Sequence, residues 1–448
     1  MTQLLLFLIF LAPTIQYRVV LPWFSFAAME PVVLLASAAL ILRSRVRGEA
    51  LRLPRTWPEI GLMALMIWVA LIRPWAQDMQ HGLSDVRDWV IPVVTFVSLR
   101  MTIRQGWREA VRLMVALALA ISVLGVYQRA TGGLRPFMSA GARFKLTADW
   151  EAVVGPSWDQ SGIISLCELH AERARLAQQG RLTDDFEKGA DQLQDGSAFA
   201  VGLFAHPNSL GMFLSAGLML ALGWATERKD RQHWLALAVI GAALFWTYSI
   251  GAYVVVVVEL GAYFLLRNLR SAVVTGAIAV SSLVATVGLF AVLPSSALNP
   301  LCWRYGLWTT AFNLLSASPL ILLFGNGMDH FGEVAYYFQP HNMYIQMLLE
   351  YGVLGLGLSL AVFTSVVAAG WHDRLAGLWE KDALLLASWI AVLGFLAAGM
   401  SDSVLLGIEN RMIVLCYLAC YLGLREEQIR SRMLDLEGPL MIRSGAQI

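Results

Sequence analysis

Apolar residues arrive in this chain as blocks of about 18–25, divided by short charged segments, and nothing else restricts the fold as strongly. A block of that length crosses a bilayer as a helix, because hydrocarbon offers no partner to an open backbone N–H or C=O. The sequence therefore predicts an all-α polytopic membrane protein. About twelve spans fit, at residues 3–17, 29–42, 57–73, 89–102, 110–129, 200–225, 233–248, 250–266, 272–293, 343–369, 382–400 and 404–423. The run from Trp234 to Phe264 is too long for one crossing, and the polar turn Tyr248-Ser249-Ile250-Gly251 divides it into a hairpin. Only 15% of the residues are charged and 58% are hydrophobic, against about 25% and about 45–50% in soluble domains. A net charge of +1 says nothing about nucleic acid, but the chain has no basic patch interleaved with aromatics and no nucleic-acid motif, so no such partner is expected.

Basic residues set the expected orientation. Arg43, Arg45, Arg47, Arg52 and Arg55 crowd one loop, and Arg100, Arg104, Arg108 and Arg112 another. Arg228, Lys229 and Arg231, then Arg267 and Arg270, then Arg425, Arg430 and Arg432 fall on the same side, which the positive-inside rule makes cytoplasmic. Residues 1–448 then form a single transmembrane domain with both termini inside. Two large loops, 130–199 and 294–342, face outward, and 424–448 is a cytoplasmic tail. The first apolar run lacks a basic leader and a cleavage site, so it reads as a retained span. Cys416 and Cys420 read as core residues of the last span. Cys167 and Cys302 lie one in each outward loop, bonded or free.

The chemistry concentrates where the second outward loop meets the tenth span, in Pro340-His341-Asn342-Met343-Tyr344-Ile345-Gln346, continuing to Glu350 and Gly352-Val353-Leu354-Gly355. Asn342, Gln346 and Glu350 recur every four residues and share one helix face. Such a stripe must face protein or water, not lipid. A histidine there suits a general base acting on a hydroxyl, and the bland alternative is an interfacial cap. A second pair, His206 and Asn208, stands at the outward end of the sixth span. Two helix N-termini on one side would frame an anionic group, and otherwise these are turn residues with polar caps. Arg304 is the basic side chain of the second outward loop, among Trp303, Tyr305 and Trp308. It would grip phosphate through two N–H groups, or else snorkel to lipid headgroups. Arg143 and Lys145 would hold a second acidic group or form a solvated basic face. Glu259, Glu409, Arg411, Asp402, Asp85 and Asp88 lie in or near spans, where ionisable residues are functional candidates. No Walker loop, dinucleotide-binding glycine fingerprint or His-Glu-x-x-His stands in the chain, and no Cys/His set has metal-ligand spacing. The expectation is a site with neither metal nor cofactor, in which arginine and helix dipoles supply the electrostatics.

These residues carry a family likeness. Trp303-Arg304-Tyr305-Gly306-Leu307-Trp308, then Pro319 through Gly325-Asn326-Gly327, then the Pro340–Gly355 element, resemble in order the O-antigen ligase and polysaccharide polymerase superfamily. Gly202-Leu203-Phe204-Ala205-His206-Pro207-Asn208 resembles that family's earlier Gly-x-Phe-x-x-Pro-Asn element. The resemblance implies a GT-C-like glycosyltransferase of the bacterial inner membrane with its active site on the periplasm. It would take a glycan from undecaprenyl diphosphate and pass it, with inversion, to a sugar hydroxyl. The product is a lengthened surface polysaccharide in a polymerase, or a glycan joined to lipid A–core in a ligase. A chain-length regulator or a flippase would be its protein partners. His341 would be the base, Arg304 would face the leaving diphosphate, and Asn342 would fix the site. His206, Asn208, Tyr344, Gln346, Glu350, Arg143 and Lys145 would contact substrate. Two family arginines are missing: the turn reads Ser249-Ile250-Gly251, and Phe199-Ala200-Val201 precedes Gly202. His206, Arg143 and Lys145 are the substitutes at hand. A lipid-glycan flippase is the reading from another class. It would need polar residues through the full depth of the membrane, and these gather on one side.

Overall fold

The computed structural model describes residues 2–14, 18–21, 24–27, 29–52, 54–72, 79–131, 204, 207–229, 231–247, 249–267, 295–327, 340–400, 405 and 407–444. It is a helical protein. In chain order the helices are α1 (Thr2–Leu11), α2 (Met29–Val46), α3 (Trp57–Leu71), α4 (Met79–Thr102), α5 (Trp107–Thr131), α6 (Pro207–Arg228) and α7 (Arg231–Phe245). They continue with α8 (Ile250–Arg267), α9 (Ser295–Ala317), α10 (Pro319–Phe324), α11 (Met343–Leu375), α12 (Leu378–Lys381), α13 (Ala383–Ala398) and α14 (Gly407–Ser444). Between α1 and α2 lies a short antiparallel hairpin, Arg18–Leu21 against Phe24–Ala27, with Leu21 opposite Phe24. Among the described residues, three helices are long and apolar enough to cross a membrane, within α5, α6 and α11.

α6 and α13 form the axis of the bundle. Nearly all of the apolar window of α6 is buried, 89%, whereas that of α11 is 28% buried, as suits a helix on the rim. The sequence of α6 explains its centrality. Gly211, Gly217 and Gly223 each turn a missing side chain toward an alanine of a different neighbour, Ala252 of α8, Ala118 of α5 and Ala387 of α13. An added β-carbon would stand only 2.6–2.7 Å from those methyls. Small residues allow helix backbones this close, and close backbones are how membrane helices gain dispersion energy without a hydrophobic driving force.

The arginine-rich loops meet at one end of the bundle, where ion pairs tie the helices. Arg100 of α4 reaches Glu59 at 2.7 Å and Glu426 of α14 at 3.2 Å. Glu59 also accepts the backbone N–H groups of Arg55 and Thr56, capping α3. Arg425 bonds Asp373 at the far end of α11 at 2.7 Å, and Arg52 pairs with Glu426.

Several expectations change in extent. The expected loop at 294–342 is in large part helix: α9 and α10 occupy much of that stretch, because Leu307, Ala311 and Leu315 form an apolar stripe that packs on Leu349. The tail at 424–448 continues the last helix to Ser444, with Glu426 and Arg430 paired one turn apart. The first span stops as an α-helix at Leu11 and tightens into a 3-10 turn at Ala12–Thr14. The long run from Trp234 to Phe264 is divided, as expected, into two helices, α7 and α8, before Ile250.

Candidate functional site

The site is built where α11 begins, at the end of the bundle away from the arginine-rich loops. Asn342 caps α11: its Oδ1 accepts the N–H groups of Tyr344 at 3.0 Å and Ile345 at 3.1 Å. Its Nδ2 donates to the Met400 carbonyl at 3.0 Å, and the Met343 N–H donates to the Gly399 carbonyl at 2.7 Å. The Tyr344 hydroxyl donates to the Leu396 carbonyl at 2.8 Å. Three bonds thus moor the first turn of α11 to the last carbonyls of α13, groups that a helix end leaves without an intrahelical partner. On the other side the Trp308 indole N–H donates to the Pro340 carbonyl at 2.8 Å. His341 lies between these two moorings, half-buried, with φ +45°. Left-handed backbone is uncommon outside glycine and clusters at functional sites.

Arg304 enters by the same logic. On α9, Arg304, Leu307, Trp308, Ala311 and Leu315 fall on one face, and that face lies on α11. Arg304 therefore stands one turn, about 6 Å of helix rise, before the tryptophan that holds Pro340.

A second joint lies below. Gly352 has φ 68° and ψ −174°, which breaks α11. A β-carbon there would run into the Leu323 carbonyl, and one on Gly325 (φ +79°) into the Glu350 carbonyl. The two glycines let the end of α10 lie directly against the break. Carbonyls that α11 gives up there are taken by the Gly325-Asn326-Gly327 loop: the Asn326 N–H donates to Leu349 at 2.7 Å, and that of Gly327 to Glu350 at 3.2 Å. Trp68 of α3 donates to the Tyr351 carbonyl at 3.0 Å. Backbone in a membrane protein can leave helical form only where such partners exist.

The structure sorts the predicted residues. Asn342 and Tyr344 bond backbone through their side-chain polar atoms, which hold the start of α11 in place. Gln346 and Glu350 are buried and bonded to each other at 2.7 Å, so the polar stripe faces protein. Asn208 lies half-buried in the first turn of α6. His206, Arg143 and Lys145 lie outside the described residues, as do Asp402 and the side chains of Asp85, Cys302 and Cys167. Asp88 is buried and bonds Arg87 at 3.0 Å. Glu259 is buried against Gly394 of α13. Glu409 is buried in the first turn of α14. Arg411 stacks 4.7 Å from the centre of the Trp89 ring and donates to the Leu405 carbonyl at 2.8 Å and the Tyr351 hydroxyl at 3.4 Å. Beside it a small apolar cavity of about 30 Å³, lined by Leu62, Leu65, Phe363, Leu396 and Leu415 among others, lies between α3, α11, α13 and α14.

Sequence reasoning missed Trp308, Gly352 and the Gly399-Met400 carbonyls. A glycine inside an apolar helical run signalled the break at 352. Nothing in the sequence showed which helix end would receive the Asn342 amide. No protein-family model matches the chain, and no curated protein matches it.

Proposed function

We propose that the protein is an inverting membrane glycosyltransferase that moves a glycan from undecaprenyl diphosphate to an acceptor sugar hydroxyl, joining repeat units of a surface polysaccharide. With the arginine-rich end in the cytoplasm of a bacterial inner membrane, the site opens on the periplasm. The observation that carries the reading is His341, set on left-handed backbone between two moorings, one of them the Trp308 indole, which stands one turn after Arg304 on α9. In the reaction His341 takes the proton of the acceptor hydroxyl. The freed oxygen attacks the anomeric carbon from the face opposite the diphosphate. The carbon–oxygen bond to diphosphate breaks, its electron pair leaves with the phosphate, and Arg304 meets the charge.

The test is a gel profile of surface and carrier-linked glycans from a deletion strain complemented with wild type or His341→Ala. Wild type restores long glycan; the alanine variant, at equal membrane level, loses about 10²–10⁴-fold of transfer. Single repeats accumulating on the carrier identify a polymerase, and long stranded chains identify a ligase. Near-normal product from His341→Ala removes the histidine from the mechanism.

A further inference from the structure

Within the stretch expected as the second outward loop lies a face that the proposed reaction does not use. From Tyr305 to Gly327 the chain has no Asp, Glu, Lys or Arg. One side of α9 packs on α11 and the other side is open, with Tyr305 and Phe312 exposed on it. Leu320, Leu322 and Leu323 of α10 are exposed as well, Leu320 to 61%. The hydroxyls of α9 need nothing from water: Thr309, Thr310 and Ser316 each donate to the carbonyl four residues earlier in the same helix. Asn313 is exposed on α9 and carries no charge. Contacts with neighbouring helices set the level of this face. Trp308 bonds Pro340, just before α11 begins, and Leu315 packs on Leu349 within it. α10 lies further in, against Gly352, nine residues or about 14 Å of helix rise from Met343. Phe324 stacks on Trp68 of α3, ring centres 6.0 Å apart, one turn before that helix ends at Leu71. At this level the neighbouring helices also turn apolar side chains outward, Ile67 on α3 and Val353 and Leu354 on α11.

We propose that α10 and the later turns of α9 form a re-entrant limb dipped into the leaflet away from the arginine-rich end, and that acyl chains of bilayer lipid cover the face made by Phe312, Leu320, Leu322 and Leu323. The chain goes inward from Trp308 to Gly352 of α11 and is outward again at Pro340, so the limb enters and leaves on one side. Hydrocarbon suits this face. No charge is buried by it, and the α9 hydroxyls already have their acceptors. The backbone that leaves helical form at Asn326 and Gly327 gives its N–H groups to α11 carbonyls, as non-helical backbone at membrane depth must. Continuity with Val353 and Leu354 argues for lipid over a protein partner, because α11 is a helix long and apolar enough to cross the membrane. The limb goes beyond the proposed transfer and does not depend on it. Its consequence there is that Arg304 stands on a helix whose far end sits in lipid.

Spin-label accessibility of the full-length chain in nanodiscs of phosphatidylethanolamine and phosphatidylglycerol tests this. The native cysteines are replaced by alanine, and labels are placed singly through Tyr305→Cys, Phe312→Cys, Leu320→Cys and Leu322→Cys. Leu354→Cys on α11 is the lipid reference, and Arg47→Cys, exposed beyond α2, is the water reference. Collisions with a water-soluble nickel chelate fall from Tyr305 through Phe312 to Leu322 while collisions with oxygen rise, and the oxygen-to-nickel ratio at Leu320 and Leu322 matches that at Leu354. A ratio there that matches Arg47 overturns the proposal and makes α9 and α10 a water-exposed cap. Low collision with both reagents also overturns it, because a second copy or another protein then covers the face. Carbene labelling of the wild-type chain from a lipid-borne diazirine needs no variant: label falls on Pro319–Phe324 as it does on α11, and label on α11 alone is a refutation. None of these readouts uses glycan, so the limb can fail while the transferase reading stands, and the reverse.

Discussion

Gly352→Ala isolates the break in α11, because a neighbouring glycine on the same helix supplies its control. At φ 68° and ψ −174° an L-residue costs about 1–3 kcal/mol in backbone strain. The new methyl also meets the Leu323 carbonyl, which is backbone and cannot swing aside as a side chain would. Relief by drawing α10 away would give up the bonds from Asn326 to Leu349 and from Gly327 to Glu350, each about 1 kcal/mol. The sum is about 3–5 kcal/mol, or about 10²–10⁴-fold in the unfolding equilibrium. Gly357, five residues on, would have no atom within 4 Å of an added β-carbon and has no positive φ. There alanine removes only the entropy of glycine and stabilises by about 0.5–1 kcal/mol. Reversible unfolding by denaturing detergent in mixed micelles, followed by far-UV circular dichroism, measures both variants. Equal stabilities, or Gly357→Ala the weaker of the two, would refute the account of the joint.

Arg304→Lys lowers transfer at least about tenfold with unchanged membrane level, since a point charge does not reproduce a planar two-pronged donor; the complementation assay reads it, and full activity confines Arg304 to a structural role. Arg100→Met leaves Glu59 buried beside no cation, with an expected cost of about 3–5 kcal/mol in the same detergent titration. Adding Glu59→Gln to that variant recovers part of the loss, and a double variant no better than the single one contradicts a charge origin.

What the sequence made legible was whatever depends on local pattern. Spans within α5, α6 and α11 followed from apolar length, and the division into α7 and α8 from a run too long for one crossing. The arginines that the span count gathers on one side do meet at one end, in pairs such as Arg100–Glu59 and Arg108–Glu227. The Asn342, Gln346 and Glu350 stripe was likewise a matter of periodicity, and two of its members are buried against protein.

The roles of those residues were less legible, because they depend on what another element presents. The family resemblance has Asn342 fix the site, but the group it is fixed to comes from elsewhere: two N–H groups of α11 bond its Oδ1, and its Nδ2 donates to the Met400 carbonyl. That partner is 58 residues away in sequence, at the end of a helix whose own residues are almost wholly apolar. A chain read one window at a time cannot show that the last carbonyls of α13 need donors and that the first turn of α11 will supply them. Once the two are joined, the division of labour follows. Asn342, Tyr344 and Trp308 fix the backbone on either side of residue 341, and so hold in place the imidazole that the proposed reaction uses as its base.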